Sequence, residues 1–230
     1  MVNQPTPQPE VSSPERKRIL IVDDHALLRG GWHQLIDPEP DLEICGEAAS
    51  ASEALRMLER IRPDIVVTDI SLPGRSGLEL IKDLRSLHPQ IPVLVVSMHD
   101  ERLYGERVLK AGGRGYLMKE VASEELIIAI RQVLRGRPYV SQSLSEVFLR
   151  GMVAGTSPVF PLDRLTDREL EIFGLIGNGR SQGEIAKQLG IEPRTVEAHR
   201  AHIRKKLGLS DSNALLRFAV RWSETAEAAH

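Results

Sequence analysis

The chain has 230 residues, of which 41% are hydrophobic and 27% charged, and its formal net charge is −2. This length allows one large globular domain or two ordinary ones. The single cysteine, Cys45, excludes an internal disulfide and a cysteine-rich zinc site, and we expect a cytoplasmic location. The apolar runs are too short to span a bilayer, so no membrane contact is expected. Because the charge is near neutral, any DNA contact must come from a local basic patch.

Two segments differ in composition from the rest of the chain. Residues 1–16 hold four prolines among polar residues and lack the apolar stretch of a signal peptide, which predicts a disordered leader. Residues 136–160 are interrupted by glycine and proline, which predicts an interdomain linker with one short helix between Leu144 and Met152. The remaining chain forms two candidate domains, at residues 17–135 and 161–226.

Short apolar runs alternate with helical patterns in the first candidate domain. The runs lie at residues 19–22, 42–46, 65–67, 93–96 and 116–118. Four of them show little alternation, as expected of parallel strands covered on both faces, whereas the run at 42–46 alternates weakly and is expected at the sheet edge. Helical patterns separate the strands, and in one of them Ile81, Leu84 and Leu87 are expected to share an apolar face. We therefore predict an α/β fold in which five βα units form a doubly wound parallel sheet.

Polar side chains follow four of the predicted strands, where an open parallel sheet binds its ligands. They are Asp23 and Asp24, Asp69, Ser97, and Lys119. Three carboxylates in one crevice repel one another unless a cation neutralises them, which predicts a Mg²⁺ site. A phosphoryl group also needs a metal, a lysine and a hydroxyl around it. Because Asp69 stands alone at the end of the central strand, we predict that it attacks phosphorus and forms an aspartyl phosphate.

These residues resemble the receiver signature of two-component response regulators of the NarL/FixJ family. The likeness rests on the Asp23-Asp24 pair, on Asp69 before Leu-Pro-Gly, on Ser97, and on the tract at residues 111–119. A flavodoxin-like receiver domain is the fold that this resemblance implies.

The resemblance also implies roles for the residues of the crevice. A sensor histidine kinase would phosphorylate Asp69. The implied Mg²⁺ ligands are Asp23, Asp24, Asp69 and the backbone carbonyl of Ser71. On activation, Ser97 would move to the phosphate, Lys119 would pair with it, and Tyr116 would turn inward. Glu120 is a departure, because many receivers have proline at this position.

Residues 161–226 carry helical patterns only. Capping boxes begin the first two helices at Thr166 and Ser181, and Pro193 stands in the first turn of the third. A fourth helix follows Asp211. The tight turn between the second and third helices predicts a small all-α helix-turn-helix domain.

One face of the predicted third helix combines small with basic side chains. Val196 and Ile203 share the opposite face, which is expected in the core. The outward side chains are Arg194, Ala198, Ala201 and Lys205, with Glu197 and His202 beside them. Small side chains let a helix sit deep in the major groove, and basic ones at its ends meet phosphates. The alternative is the solvated face of an ordinary helical bundle.

The same region resembles the LuxR-type DNA-binding domain. The likeness rests on Leu-Thr-Asp-Arg-Glu from residue 165 and on Thr-Val-Glu-Ala-His-Arg from residue 195. It implies a recognition helix at residues 193–207 and a homodimer of the phosphorylated protein through Leu215, Phe218 and Trp222. The DNA contacts that we predict are Arg194, Thr195, Glu197, Ala198, Arg200, Ala201, His202 and Lys205.

These features together predict a phosphorylation-dependent transcription factor rather than an enzyme. An aspartate-nucleophile phosphatase of the haloacid-dehalogenase type carries a second aspartate where this chain has Ser71. The other alternative is an adaptor that binds proteins and not DNA, against which the basic helix face argues. We further hypothesise that the unphosphorylated receiver docks against the recognition helix. No metal site is expected at His199 and His202, because no carboxylate or cysteine cluster joins them in the sequence.

Overall fold

The computed structural model describes residues 16–142, 144–146 and 161–227. Nearly all of the predicted leader, and the predicted linker from residue 147 to 160 with most of its short helix, lie outside these residues. Within the described ranges, no helix is long and apolar enough to cross a membrane. None of the peptide bonds that the structure describes is cis, including the bond that precedes Glu120.

Five parallel strands form one sheet in the order β2-β1-β3-β4-β5. Their bounds are Lys17–Val22 (β1), Leu42–Ala48 (β2), Ile65–Thr68 (β3), Val93–Ser97 (β4) and Gly115–Met118 (β5). β3 and β4 are buried along their whole length, whereas β2 is only partly buried and lies at the edge, as its alternation predicts. The strand order reverses between β1 and β3, so a crevice opens at their carboxyl ends. The doubly wound fold is thereby confirmed.

Five helices cover the two faces of the sheet. Their bounds are Ala26–Ile36 (α1), Ala51–Leu58 (α2), Gly77–Leu87 (α3), Glu101–Ala111 (α4) and Ala122–Leu134 (α5). The apolar patterns predict all but α4, which buries Tyr104 and Val108 completely although five of its eleven residues are charged. The expectation that Leu87 shares a buried face with Ile81 is wrong, because Leu87 is 64% exposed. Six residues of helix place the two side chains about 120° apart.

The chain that follows α5 stays on the receiver. The Tyr139 N–H donates to the Arg114 carbonyl at 3.0 Å, and the Tyr116 N–H donates to the Tyr139 carbonyl at 2.7 Å. These bonds form a parallel bridge on the open edge of β5. Leu144 is 5% exposed and fills the space beside Gly105 on α4. The first part of the predicted linker is therefore held against the receiver.

Four helices form the second domain, after a 3₁₀ turn at Pro161–Arg164. Their bounds are Asp167–Gly177 (α6), Gln182–Leu189 (α7), Pro193–Leu207 (α8) and Ser212–Glu227 (α9). The capping boxes predicted at Thr166 and Ser181 are present, with both hydrogen bonds made. Gly190 ends α7 in the left-handed region at φ 62°, where glycine carries no steric penalty. The predicted helix-turn-helix is thereby confirmed.

The apolar side of α9 faces its own domain. Leu215 is fully buried, and the Phe218 ring lies 5.9 Å from the Phe173 ring and 6.2 Å from the Trp222 ring. Leu215 is therefore not available to a dimer surface, whereas Phe218 and Trp222 are only partly buried and a dimer contact through them stays a prediction.

Gly77 lies where α3 packs closely against the loop that carries Asp69. Its N–H donates to the Ile70 carbonyl at 2.8 Å, and a Cβ there would lie 2.0 Å from the Asp69 carbonyl oxygen. We predict that Gly77→Ala lowers the free energy of unfolding by about 1–3 kcal/mol, measured by urea denaturation. Gly30→Ala in α1 is the control, because a Cβ there meets nothing within 4 Å. It should leave stability unchanged or raise it by up to about 1 kcal/mol. Equal stabilities of the two variants would contradict this packing.

Candidate functional site

The carboxyl ends of β1, β3 and β5 bring three charged side chains into one crevice. Asp23 and Asp69 are 2% and 4% exposed, and an Oδ2 atom of each lies 2.7 Å from Lys119 Nζ. Burial alone would lower the pKa of Lys119, but the carboxylates of Asp69 and Asp23 outweigh burial and raise it. The ammonium is therefore charged and pairs with both carboxylates, which leaves the crevice with an excess of negative charge.

The second oxygen of Asp69 is fixed by hydrogen bonds from three directions. Asp69 Oδ1 accepts from Ser97 Oγ at 2.6 Å, from the Ile70 N–H at 2.6 Å and from the Ser71 N–H at 3.3 Å. The carboxylate therefore has one orientation, with Lys119 on one oxygen and these donors on the other. Asp69, Ser97 and Lys119 are thus in contact, as their positions after three of the strands predict.

Tyr116 already lies inside the receiver. It is 1% exposed, and its hydroxyl donates to the His99 carbonyl at 2.6 Å. Ser97 likewise already faces Asp69. Both side chains thus occupy the inward positions that were expected only on activation. A movement of either side chain on phosphorylation stays a prediction.

Asp24 and His25 form the open side of the crevice. Ligand atoms of Asp23, Asp24 and His25 all lie within 4.8 Å of one another, and Asp24 Oδ1 lies 2.8 Å from His25 Nδ1. The carboxylates of Asp23, Asp24 and Asp69 carry three negative charges against the one ammonium of Lys119. This excess of charge on oxygen donors suits a hard divalent cation such as Mg²⁺.

His99 is a polar residue of the site that the sequence analysis missed. Its Nε2 lies 2.7 Å from Ser71 Oγ, and its ring stacks on Tyr104 with centroids 4.8 Å apart. Burial lowers the pKa of His99, although the negative charges of Asp69 and Glu171 oppose this effect. A lone histidine in a loop has no periodicity or spacing that would mark it, so only the fold reveals its position.

In the second domain, α8 exposes the face that was predicted to meet DNA. Val196 and Ile203 are fully buried. The exposed residues of the predicted set are Arg194, Glu197, Ala198, Ala201, His202 and Lys205. The predicted orientation of the helix is therefore confirmed, whereas contact with DNA stays a prediction.

Two of the predicted DNA contacts are only partly exposed. Thr195 is half-buried. The Arg200 side chain is 17% exposed and lies 3.7 Å from the Glu197 carboxylate. Its Nε is buried without a hydrogen-bond partner in the described part of the chain. Arg200 therefore faces the domain interior, whereas Glu197, with its side chain 50% exposed, stays on the outer face.

Glu169 of α6 anchors the recognition helix. It is 3% exposed, and its Oε2 lies 2.6 Å from Lys206 Nζ. Ligand atoms of Glu169, His199 and His202 lie within 4.8 Å of one another, so the expectation that no carboxylate joins these histidines is wrong. Burial and the positive charge of Arg168 lower the pKa of His199. With Lys206 already paired to Glu169, these positive charges disfavour a metal ion at the cluster.

The two domains contact each other through α6. Lys82 Nζ of α3 lies 2.7 Å from Asp167, Arg107 of α4 lies 3.2 Å from the same carboxylate, and Ser71 Oγ lies 3.4 Å from Glu171 Oε1. The hypothesis that the receiver docks against the recognition helix is therefore wrong, because α8 keeps its outer face exposed while α6 makes these contacts.

Comparison with known proteins finds a family model for each of the two domains. Residues 19–131 match the response regulator receiver domain, and residues 163–219 match the luxR family of bacterial regulatory proteins. The oxygen regulatory protein NreC of Staphylococcus aureus is 34% identical over 210 residues, which cover 89% of this chain and 97% of NreC. The chain is a two-component response regulator of the NarL/FixJ family. It therefore joins a receiver to a DNA-binding domain and is a transcription regulator, not a phosphatase or an adaptor.

Solved response regulators share the fold. RcsB of Salmonella typhimurium is 24% identical, aligns over 90% of this chain and 98% of its own, and gives a TM-score of 0.65. A LuxR-family response regulator from Aurantimonas sp. SI85-9A1 is 34% identical over 60% of this chain and 99% of its own, with a TM-score of 0.56.

Lys205 and Lys206 are adjacent but should act differently. Lys206→Ala leaves the buried Glu169 without its ammonium, and we predict that it lowers the free energy of unfolding by about 1–3 kcal/mol. Lys205→Ala should change this free energy by less than about 0.5 kcal/mol. It should instead weaken binding to every duplex alike and flatten the salt dependence of log K by about one unit. Urea denaturation and duplex binding at several salt concentrations measure both effects. Equal stability losses, or an unchanged salt slope for Lys205→Ala, would contradict these roles.

Proposed function

We propose that a sensor histidine kinase phosphorylates this response regulator on Asp69 and that the phosphorylated protein binds operator DNA as a dimer in the cytoplasm. The observation that carries this proposal is the set of contacts around Asp69. One of its oxygens lies 2.7 Å from Lys119 Nζ, and the other accepts from Ser97 at 2.6 Å. A cation and a hydroxyl at the nucleophile are what phosphoryl transfer requires.

In this reaction the phosphoryl group moves from a histidine of the kinase to Asp69. An Asp69 carboxylate oxygen attacks the phosphorus of the kinase phosphohistidine, the P–N bond breaks, and an acyl phosphate P–O bond forms. Lys119 then neutralises phosphoryl oxygens, and the Ser97 hydroxyl donates to one of them. The Ile70 N–H keeps the carboxylate oriented during the attack.

The crevice also has the donors to hold Mg²⁺. The ligands would be Asp23, Asp24, Asp69 and the backbone carbonyl of Ser71. When bound, the ion supplies electrostatic stabilisation of the transferring phosphoryl group. The excess negative charge of the crevice supports this assignment.

The DNA-binding function rests on the exposed face of α8. Ala198 and Ala201 leave room for the helix in the major groove, and Arg194 and Lys205 meet phosphates at its two ends. Thr195, Glu197 and His202 lie near the base edges in this arrangement. Dimers of RcsB bound to DNA, on the same fold, are consistent with a dimeric assembly.

Asp69→Asn tests the phosphoacceptor. We predict that the wild type gains one phosphoryl group from a small phosphodonor only when Mg²⁺ is present, and that Asp69→Asn gains none. Intact-mass spectrometry measures the label. Asp64→Asn is the control, because Asp64 precedes the same strand and binds Lys17 at the amino ends of the strands, away from the crevice. It should be labelled as the wild type is. Labelling of Asp69→Asn, or full labelling in a metal chelator, would contradict the proposal.

Glu197→Ala tests reading of the bases. Its carboxylate is repelled by phosphates but can accept a hydrogen bond from a cytosine amino group, which is worth about 1–3 kcal/mol of discrimination. We predict that Glu197→Ala relaxes the preference at one base pair per half-site and keeps or raises nonspecific affinity. Selection of binding sites from a random duplex library measures this preference. An unchanged preference at every position would make the 3.7 Å pair with Arg200 the whole role of Glu197.

A further inference from the structure

A carboxylate of the DNA-binding domain is buried against the loop that follows Asp69. Glu171, on the second turn of α6, is 3% exposed. Its Oε2 accepts from Arg168 at 2.7 Å, and its Oε1 lies 3.4 Å from Ser71 Oγ. Of the interdomain contacts made by α6, this one reaches nearest to the phosphorylation site.

Hydrogen bonds connect Glu171 to the crevice. Ser71 Oγ lies 2.7 Å from His99 Nε2, and the Ser71 N–H donates to Asp69 Oδ1 at 3.3 Å. With the histidine hydrogen assigned to Nε2, His99 donates to the Ser71 hydroxyl, which donates to Glu171. Ser71 thus contacts Asp69 through its backbone and Glu171 through its side chain.

Other contacts hold α6 in this position without approaching the crevice. Asp167 bridges Lys82 and Arg107 at 2.7 and 3.2 Å, and Arg107 also donates to the Leu162 carbonyl at 2.5 Å. Leu162 and Leu165 belong to the same apolar cluster as Tyr104 of the receiver. The docked arrangement therefore has apolar and ionic contacts that do not involve Glu171.

Phosphorylation changes the charge beside Glu171. An acyl phosphate carries about −1.5 to −2 charges in place of the single charge of the Asp69 carboxylate. Repulsion between charges is strongest where water is excluded, and Glu171 is buried. Within the proposed phosphorylation of Asp69, we propose that Glu171 is the residue by which the DNA-binding domain senses the phosphoryl group. The Glu171 carboxylate stays beside the unmodified crevice but is repelled by the phosphorylated one. This repulsion releases α6 from the receiver.

Two variants distinguish the response of Glu171 to the phosphoryl group from the contacts that keep α6 docked on the receiver. Glu171→Gln removes the charge but keeps an oxygen that accepts from Ser71. Without phosphate it should bind operator DNA within about twofold of the wild type, and phosphorylation should raise its affinity about tenfold less than it raises that of the wild type. Asp167→Asn removes the partner of Lys82 and Arg107, so it should raise the affinity of the unphosphorylated protein instead.

Intact mass on the same samples distinguishes the possible failures. If the wild type takes no label on Asp69, the proposed function fails and this inference fails with it. If labelled Glu171→Gln responds to phosphorylation as fully as the wild type, or if it behaves as Asp167→Asn does, only the inference is overturned.

A measurement on the wild type does not depend on the folding of a variant. Carbodiimide coupling of a small amine to carboxyl groups, followed by peptide mass spectrometry, reports the exposure of Glu171. We expect Glu171 to be protected in the unphosphorylated full chain and modified in the phosphorylated one. Protection that persists in fully phosphorylated protein would overturn the proposal.

Discussion

Asp23 and Asp69 are buried at the end of a parallel sheet with a single ammonium, Lys119, between them. Carboxylates buried at this depth need a positive partner, because burial penalises an unpaired charge. Each lies 2.7 Å from Lys119 Nζ. The remaining oxygen of Asp69 is satisfied by backbone N–H groups and Ser97. The rest of the site is arranged around this charge balance, since any added anion must be matched by a cation or by movement of another negative group.

The negative group that we propose to move is Glu171, which belongs to the DNA-binding domain. Glu171 has its own partner in Arg168, so its charge is paired in the docked state. Inside the receiver, Tyr116 and Ser97 already point inward. We propose that the response to phosphorylation involves the contact between the domains. The exposed outer face of α8 fits this view, since docking through α6 restrains the position of the DNA-binding domain without covering its DNA-binding surface.

Features that depend on local periodicity or on strand ends could be predicted from the sequence. The five strands, the capping boxes and the meeting of Asp69, Ser97 and Lys119 follow from such local rules. The amphipathic pattern of α9 was recognised, but a pattern cannot tell whether Leu215 faces its own core or a partner. Arg200 was assigned to DNA by its charge, whereas packing turns it inward. His99 and Glu171 could not be found from the sequence, because their roles arise from contacts with Ser71. That residue lies 28 positions from His99 and 100 positions from Glu171.

The distance between the domains is the quantity that tests the account most directly. Pulsed electron paramagnetic resonance would measure the distance between two spin labels, one on each domain. The labels are attached to Arg56→Cys of α2 and Asn213→Cys of α9 in a Cys45→Ser background. Dilution with unlabelled protein suppresses distances between the copies of a dimer. The account predicts one narrow distribution in the unphosphorylated chain and a longer, broader one when intact mass shows complete phosphorylation of Asp69. A narrow distribution that persists unchanged in the phosphorylated protein would contradict it.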